Sequence, residues 1–179
     1  KMGAAVTWRR GDAGELASPG EVRVILLDRT ADSSGKAVLG ATPPRFEVAP
    51  FVWVHVPCVR AVIGLDPRGS VLTLSLPASR ALAIALGRVV AHELVHALQH
   101  QYLRLDSIME QVDDNDRLMA AQALLEGQAT LVGLQVMVPD QNLFAMPDMW
   151  EASRERIRAQ QGAMPVFSKA PRILREGLI

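Results

Sequence analysis

His92-Glu93-Leu94-Val95-His96 is the stretch on which the reading of this chain turns. It lies in a run where Leu82, Leu86, Val89, Val90, Leu94, Leu98 and Tyr102 recur mostly at three- and four-residue spacing. That period predicts one long amphipathic helix over roughly 77–102, opening at Pro77 and carrying the pentapeptide near its C-terminal end. A helix turns by about 100° per residue, so His92 and His96 stand one above the other on nearly the same face. Two imidazoles so placed can both reach one tetrahedral zinc ion at about 2.0–2.1 Å. Glu93, one residue on, cannot easily ligate the same ion, but it can reach a water bound there, which is the place of a general base. Leu94 and Val95 are apolar, as expected where the other faces of the helix enter the core. With this chain's His and Glu content, a chance match is expected in about half a percent of such sequences. The alternative is a solvated helix end whose two histidines merely share a face.

A catalytic zinc site needs a third protein ligand and an open position for water. The metzincin arrangement would place Gly three residues and His six residues after His96, where this chain has Gln99 and Tyr102, so that version is excluded. Cys58 could serve, as in a deformylase-like site, but its neighbours Val56-Pro57 and Val59 lack the Glu-Gly-Cys context, and Cys is also a common core residue. The other candidate is Glu126, set among Ala121, Ala123, Leu124, Leu125, Ala129 and Leu131. A carboxylate in such company is costly to bury without a partner, and a zinc ion is one. Gly127 beside it costs about 1 kcal/mol in a helix interior and suggests close approach of another backbone. The competing reading leaves Glu126 facing solvent from an amphipathic helix.

The 179 residues suffice for one ordinary domain with a real core. Apolar residues at 49% and charged residues at 21% fit a globular chain and not a disordered one. Nineteen basic and nineteen acidic residues cancel, so no overall field favours nucleic acid or an acidic membrane. The longest uninterrupted apolar stretch, Ala81–Gly87, falls short of the roughly 20 residues of a membrane span. No signal peptide is visible; the chain opens at Lys1 and not Met, so its compartment is left open. The single Cys58 excludes an intrachain disulfide framework and a multi-cysteine zinc site.

The first half reads as short strands between turns: Val22–Leu27, Phe51–Val56 and Val71–Leu76, with Ala4–Trp8 as a further candidate. Ser33-Ser34-Gly35, Pro43-Pro44 and Pro67-Arg68-Gly69-Ser70 supply the breaks. A polar interval, Asp106–Asp116, follows the first helix. A second helix is expected from about Asp116 to Val138, stopped by Pro139, and a third over Trp150–Gln161. Another element starts at Pro171, and both chain ends read as cut through secondary structure.

Ala91-His92-Glu93-Leu94-Val95-His96-Ala97-Leu98-Gln99, followed by Ala123-Leu124-Leu125-Glu126-Gly127-Gln128-Ala129-Thr130, resembles a group of bacterial and archaeal zinc peptidases of the gluzincin kind. In those, an Ala-His-Glu-Leu-x-His-Ala-Leu-Gln helix is paired with an Ala-Leu-x-Glu-Gly-x-Ala-Thr helix. The resemblance is strongest over Ala91–Val138 and extends weakly to Ala170-Pro171 and Leu174-Arg175-Glu176. It implies His92, His96 and Glu126 as zinc ligands and Glu93 as the catalytic base. It also implies a zincin-like α+β fold, with a small N-terminal mixed sheet, a long active-site helix and a following glutamate-bearing helix. In zincins an edge strand pairs with extended substrate; Phe51–Val56 is the candidate here. The chain departs from the pattern at His100, Tyr102 and Arg104, where the group has Asp, His and Asp, and at Gln128, where an acidic residue is common.

His100, Tyr102 and Thr130 are candidates for orienting the ligands or stabilising an oxyanion, although His100 and Tyr102 also suit a solvated helix end. His55 is expected on a strand surface. Asp113-Asp114-Asn115-Asp116 lacks the spacing of a calcium loop and suits helix capping. Arg154, Arg156 and Arg158, interleaved with Glu155, read as a solvated face. The expectation is a single zinc peptidase domain acting on a peptide or protein substrate, with neither nucleic acid nor a membrane span involved. Its rivals are a catalytically impaired zinc-binding module on the same fold and a metal-dependent hydrolase of non-peptide amides.

Overall fold

Val52 and Val54 have no exposed surface, while Phe51 and Trp53 are half-buried, so the run alternates as a strand with one covered face does. A computed structural model describes residues 21–28, 38–42, 51–103, 115–169 and 171. Its sheet has three strands in the order β1-β3-β2: β1 is Arg23–Leu27, β2 Gly40–Ala41 and β3 Phe51–His55. β1 runs parallel to β3, with Arg23 opposite Phe51 and Leu27 opposite His55. β2 runs antiparallel, with Gly40 opposite Val54 and Ala41 opposite Trp53. The architecture is α+β, with a small mixed sheet as expected. Two strands match their predicted ranges to within a residue, but β3 is central, so Phe51–Val56 is not the edge strand it was expected to be.

β3 passes without a loop into α1, Val56–Val62, with His55 as the residue preceding the first helical turn and Pro57 inside it. His55 is therefore buried, at 7% exposure, and not on a strand surface: the strand–helix junction encloses it. Cys58 is buried in α1 as well.

Val71–Leu76 is not a strand. Val71–Thr73 is a turn of 3₁₀ helix and Leu76 already belongs to the next helix. Hydroxyls at both ends of the run decide this. Ser70 Oγ accepts from Leu72 N at 3.2 Å, Thr73 Oγ1 donates to Ser70 O at 2.9 Å, and Ser75 Oγ accepts from Ala78 N as the helix N-cap. These local bonds offer the backbone an alternative to a ladder, and Leu72 is left 96% exposed.

α2 runs over Leu76–Tyr102 and α3 over Asn115–Met137, each within a residue or two of expectation. Pro139 follows two residues after α3 ends, and Asp116 lies in its first turn, while Asp113 and Asp114 lie outside the described residues. The core is Val54, Val59 and Leu82, with Leu39, Ile63, Leu65, Leu74, Ala85, Leu86, Val89 and Val90 packed around it. The expected apolar stripe of α2 therefore holds through Val90, but Leu98 is 44% and Tyr102 80% exposed near its C-terminal end. By length and composition alone α2 is long and apolar enough to cross a membrane, with a mean hydropathy of 1.5 over 18 residues. It packs against β2, β3, α1 and α3, and a helix with neighbours on several sides needs apolar residues on several sides.

The chain divides into two units, Lys1–Pro139 and Asp140–Ile179. In the second, α4 spans Pro147–Gly162 and α5 spans Pro165–Ser168. α4 opens three residues before the predicted Trp150, because Pro147 and Asp148 suit a first helical turn. Trp150 Nε1 donates to Leu143 O at 2.8 Å, tying the helix to the 3₁₀ turn before it. Arg154, Arg156 and Arg158 are exposed as expected, but the acid that Arg154 and Arg158 meet is Glu151, at 2.8 and 3.9 Å, and not Glu155. The Ala4–Trp8 strand, the Pro43-Pro44 break, Arg104, most of the Asp106–Asp116 interval and the tail after Pro171 lie outside the described residues.

Candidate metal centre

His92 and His96 project from consecutive turns of α2, and their Nε2 atoms are 3.1 Å apart. Glu126, from α3, completes the group: its Oε2 is 3.3 Å from His92 Nε2 and its Oε1 is 3.5 Å from His96 Nε2. These ligand atoms all lie within 4.8 Å of one another, and no other such group of His, Cys, Asp or Glu occurs among the described residues. Cys58 is not part of it. Ligands of a tetrahedral ion bonded at 2.0–2.1 Å stand about 3.3–3.4 Å apart, close to the separation of the two nitrogens from each other and of each nitrogen from its nearer carboxylate oxygen.

Small residues bring the two helices together. Ala129 and Gly133 are the buried residues of α3 and follow Glu126 at three and seven residues, on the same face. A Cβ at Gly133 would lie 3.1 Å from Arg88 O and 3.8 Å from His92 Cβ. Gly133 therefore lets α3 approach the α2 backbone one turn before His92. Gly127, expected to mark the close approach, does not: a Cβ there would meet nothing within 4 Å. The premise that Glu126 is buried also fails, since its side chain is 62% exposed against 27% for His92 and 17% for His96. Of its apolar neighbours only Ala129 is buried, and Ala123 and Leu124 are themselves exposed. The exposure leaves an approach from solvent to the third ligand.

Glu93 is 6% exposed, the most buried carboxylate of the motif. Thr42, just beyond β2, supplies its partner: Oγ1 lies 2.8 Å from Glu93 Oε2 and 3.0 Å from Glu93 O. The hydroxyl has one proton and is within reach of both acceptors, the carboxylate oxygen being the nearer. Gly40 makes the approach possible, because a Cβ there would stand 2.8 Å from Val89 Cγ1 and 2.9 Å from Glu93 Cγ.

His96 Nδ1 is 2.9 Å from Gln99 Oε1. The Gln99 amide is 5% exposed and donates to Leu125 O at 3.1 Å and to Gln128 Oε1 at 2.9 Å. Gln128, where the resembled peptidases often have an acid, thus accepts a hydrogen bond as an acid would. Among the other candidates, His100 is half-buried one turn past His96, Tyr102 is the exposed last residue of α2, and Thr130 is exposed one turn past Glu126. Gln99 was legible in principle: at i+7 from His92 and i+3 from His96 it shares the ligand face. Ala129 and Gly133 had the same signal from Glu126. Thr42 and Gly40 had none, lying about fifty residues upstream in sequence.

Comparison of the chain with protein-family models, with curated proteins and with solved structures found no match.

Proposed function

We propose that this chain is a zinc-dependent peptidase of gluzincin type on a zincin-like fold, with His92, His96 and Glu126 holding the ion and Glu93 acting as general base. The observation that carries the reading is that His92 Nε2 and His96 Nε2 stand 3.1 Å apart on one helix, while the Glu126 carboxylate from a second helix sets one oxygen 3.3 Å from the first nitrogen and the other 3.5 Å from the second. Two imidazoles and one carboxylate are the donor set of a catalytic zinc site. When bound, zinc supplies Lewis-acid polarisation of the scissile carbonyl and acidifies a water. Glu93 takes the proton of that water and hands it to the leaving amine. The Thr42 hydroxyl meets Oε2 and so fixes the orientation of the carboxylate. Among the described strands β2 is an edge, and Thr42 connects it to Glu93, so an extended peptide added there would lie beside the base.

Two substitutions test this. Glu93→Ala should abolish cleavage of an unfolded protein substrate, lowering kcat by about 10²–10⁴-fold, while zinc stays bound. Cleavage unchanged in that variant rules the peptidase reading out. Glu126→Ala should release zinc and Cys58→Ser should not; the reverse result would make Cys58 the third ligand. A second reading, a zinc-binding module without catalysis, is favoured by the neutral Gln99–Gln128 pair beside His96. Stoichiometric zinc binding together with no Glu93-dependent hydrolysis of any unfolded protein or peptide would select it.

A further inference from the structure

We propose that Gln99 is a positioning residue that holds His96 as the Nδ1–H tautomer, its Nε2 lone pair directed at the metal position, and that ties the Glu126 helix to the same amide. The proposal deepens the metal reading above and rests on it.

The orientation of the Gln99 amide follows from its partners. Leu125 O is a backbone carbonyl and can only accept, so the Gln99 atom 3.1 Å away is the nitrogen. The atom 2.9 Å from His96 Nδ1 is then Oε1, which can only accept, so Nδ1 carries the proton. With Nδ1 so engaged, His96 Nε2 is the ring atom that faces His92 Nε2 at 3.1 Å and Glu126 Oε1 at 3.5 Å, and it presents its lone pair to an ion bound between them. The second amide proton of Gln99 goes to Gln128 Oε1. Leu125 directly precedes Glu126, so one buried amide sets the tautomer of one ligand and holds the backbone next to another. Glutamate at this position could still accept from His96 Nδ1. It would also turn an oxygen toward Leu125 O, where two acceptors repel.

The test reads the imidazole first and the metal second. In the ¹H–¹⁵N spectrum of the metal-free chain, His96 is expected with its proton on Nδ1. Gln99→Leu should lose that preference and weaken zinc binding, measured by competition with a chelating dye, by about 10–100-fold. Gln99→Glu should keep the Nδ1–H signature, which separates the tautomer from the helix tether. A proton on Nε2 of His96 in the unsubstituted chain overturns the proposal without any variant. So does a folded Gln99→Leu chain that binds zinc as tightly as the original. No zinc affinity in the unsubstituted chain would instead overturn the metal reading, while the tautomer assignment would still be decided by the spectrum.

Discussion

At the scale of single residues, the site is governed by what satisfies each buried polar group. Glu93 is buried and keeps a hydrogen-bond partner because Thr42 reaches it from the sheet, and Gly40 keeps that approach open. Thr42→Val preserves the shape and removes the donor. It should leave zinc binding intact and lower kcat roughly 10- to 100-fold, the scale on which a displaced catalytic group is felt. A kinetic comparison at matched zinc loading checks this, and an unchanged kcat would separate Thr42 from the base. The motif residues themselves were legible, since a helix places His92 and His96 on one face whatever surrounds it. Thr42 was not, because a hydroxyl fifty-one residues away in sequence carries no periodic signal.

At the scale of elements, α2 and α3 form the frame of the site, and two glycines on α3 behave oppositely. Gly133 lies against Arg88 O, so Gly133→Ala should push the helices apart, cost about 1–3 kcal/mol and weaken zinc binding. Gly127 faces open space, so Gly127→Ala should raise stability by about 0.5–1 kcal/mol through helix propensity alone. Thermal unfolding of the two variants side by side measures both signs. Equal effects would mean that the close contact at Gly133 is not what sets the helix spacing. Helix lengths were readable from the 3.6-residue period and the prolines. The Val71–Leu76 run differs from expectation because its composition suits a strand, while Ser70 before it and Ser75 within it divert the backbone into a 3₁₀ turn and a helix cap.

At the scale of the whole molecule, a ligand shared by two helices links folding to metal. Zinc bound only by the folded chain stabilises it by about 2.7 kcal/mol at a free concentration one hundred times Kd. For a chain of this size that is a rise of roughly 5–10 °C in Tm, reversed by a chelator. Differential scanning calorimetry with and without zinc tests it. In Glu126→Ala the rise should shrink to near zero; a rise of the full size there would show that Glu126 does not hold the ion.

The sequence by itself placed His92, Glu93 and His96 together on one helix and Glu126 on a second. The first follows from spacing along one helix, a local property of the chain, and Glu126 stood out by its apolar company and by the resemblance to a known helix pair. Tertiary structure alone decided that β3 is central, that Gly133 and not Gly127 is the point of close contact, and that Glu126 is exposed. It also decided that Thr42 and Gln99 complete the site. Those outcomes depend on which face meets which neighbour across long stretches of chain, and periodicity shows that a face is apolar without showing what it will meet.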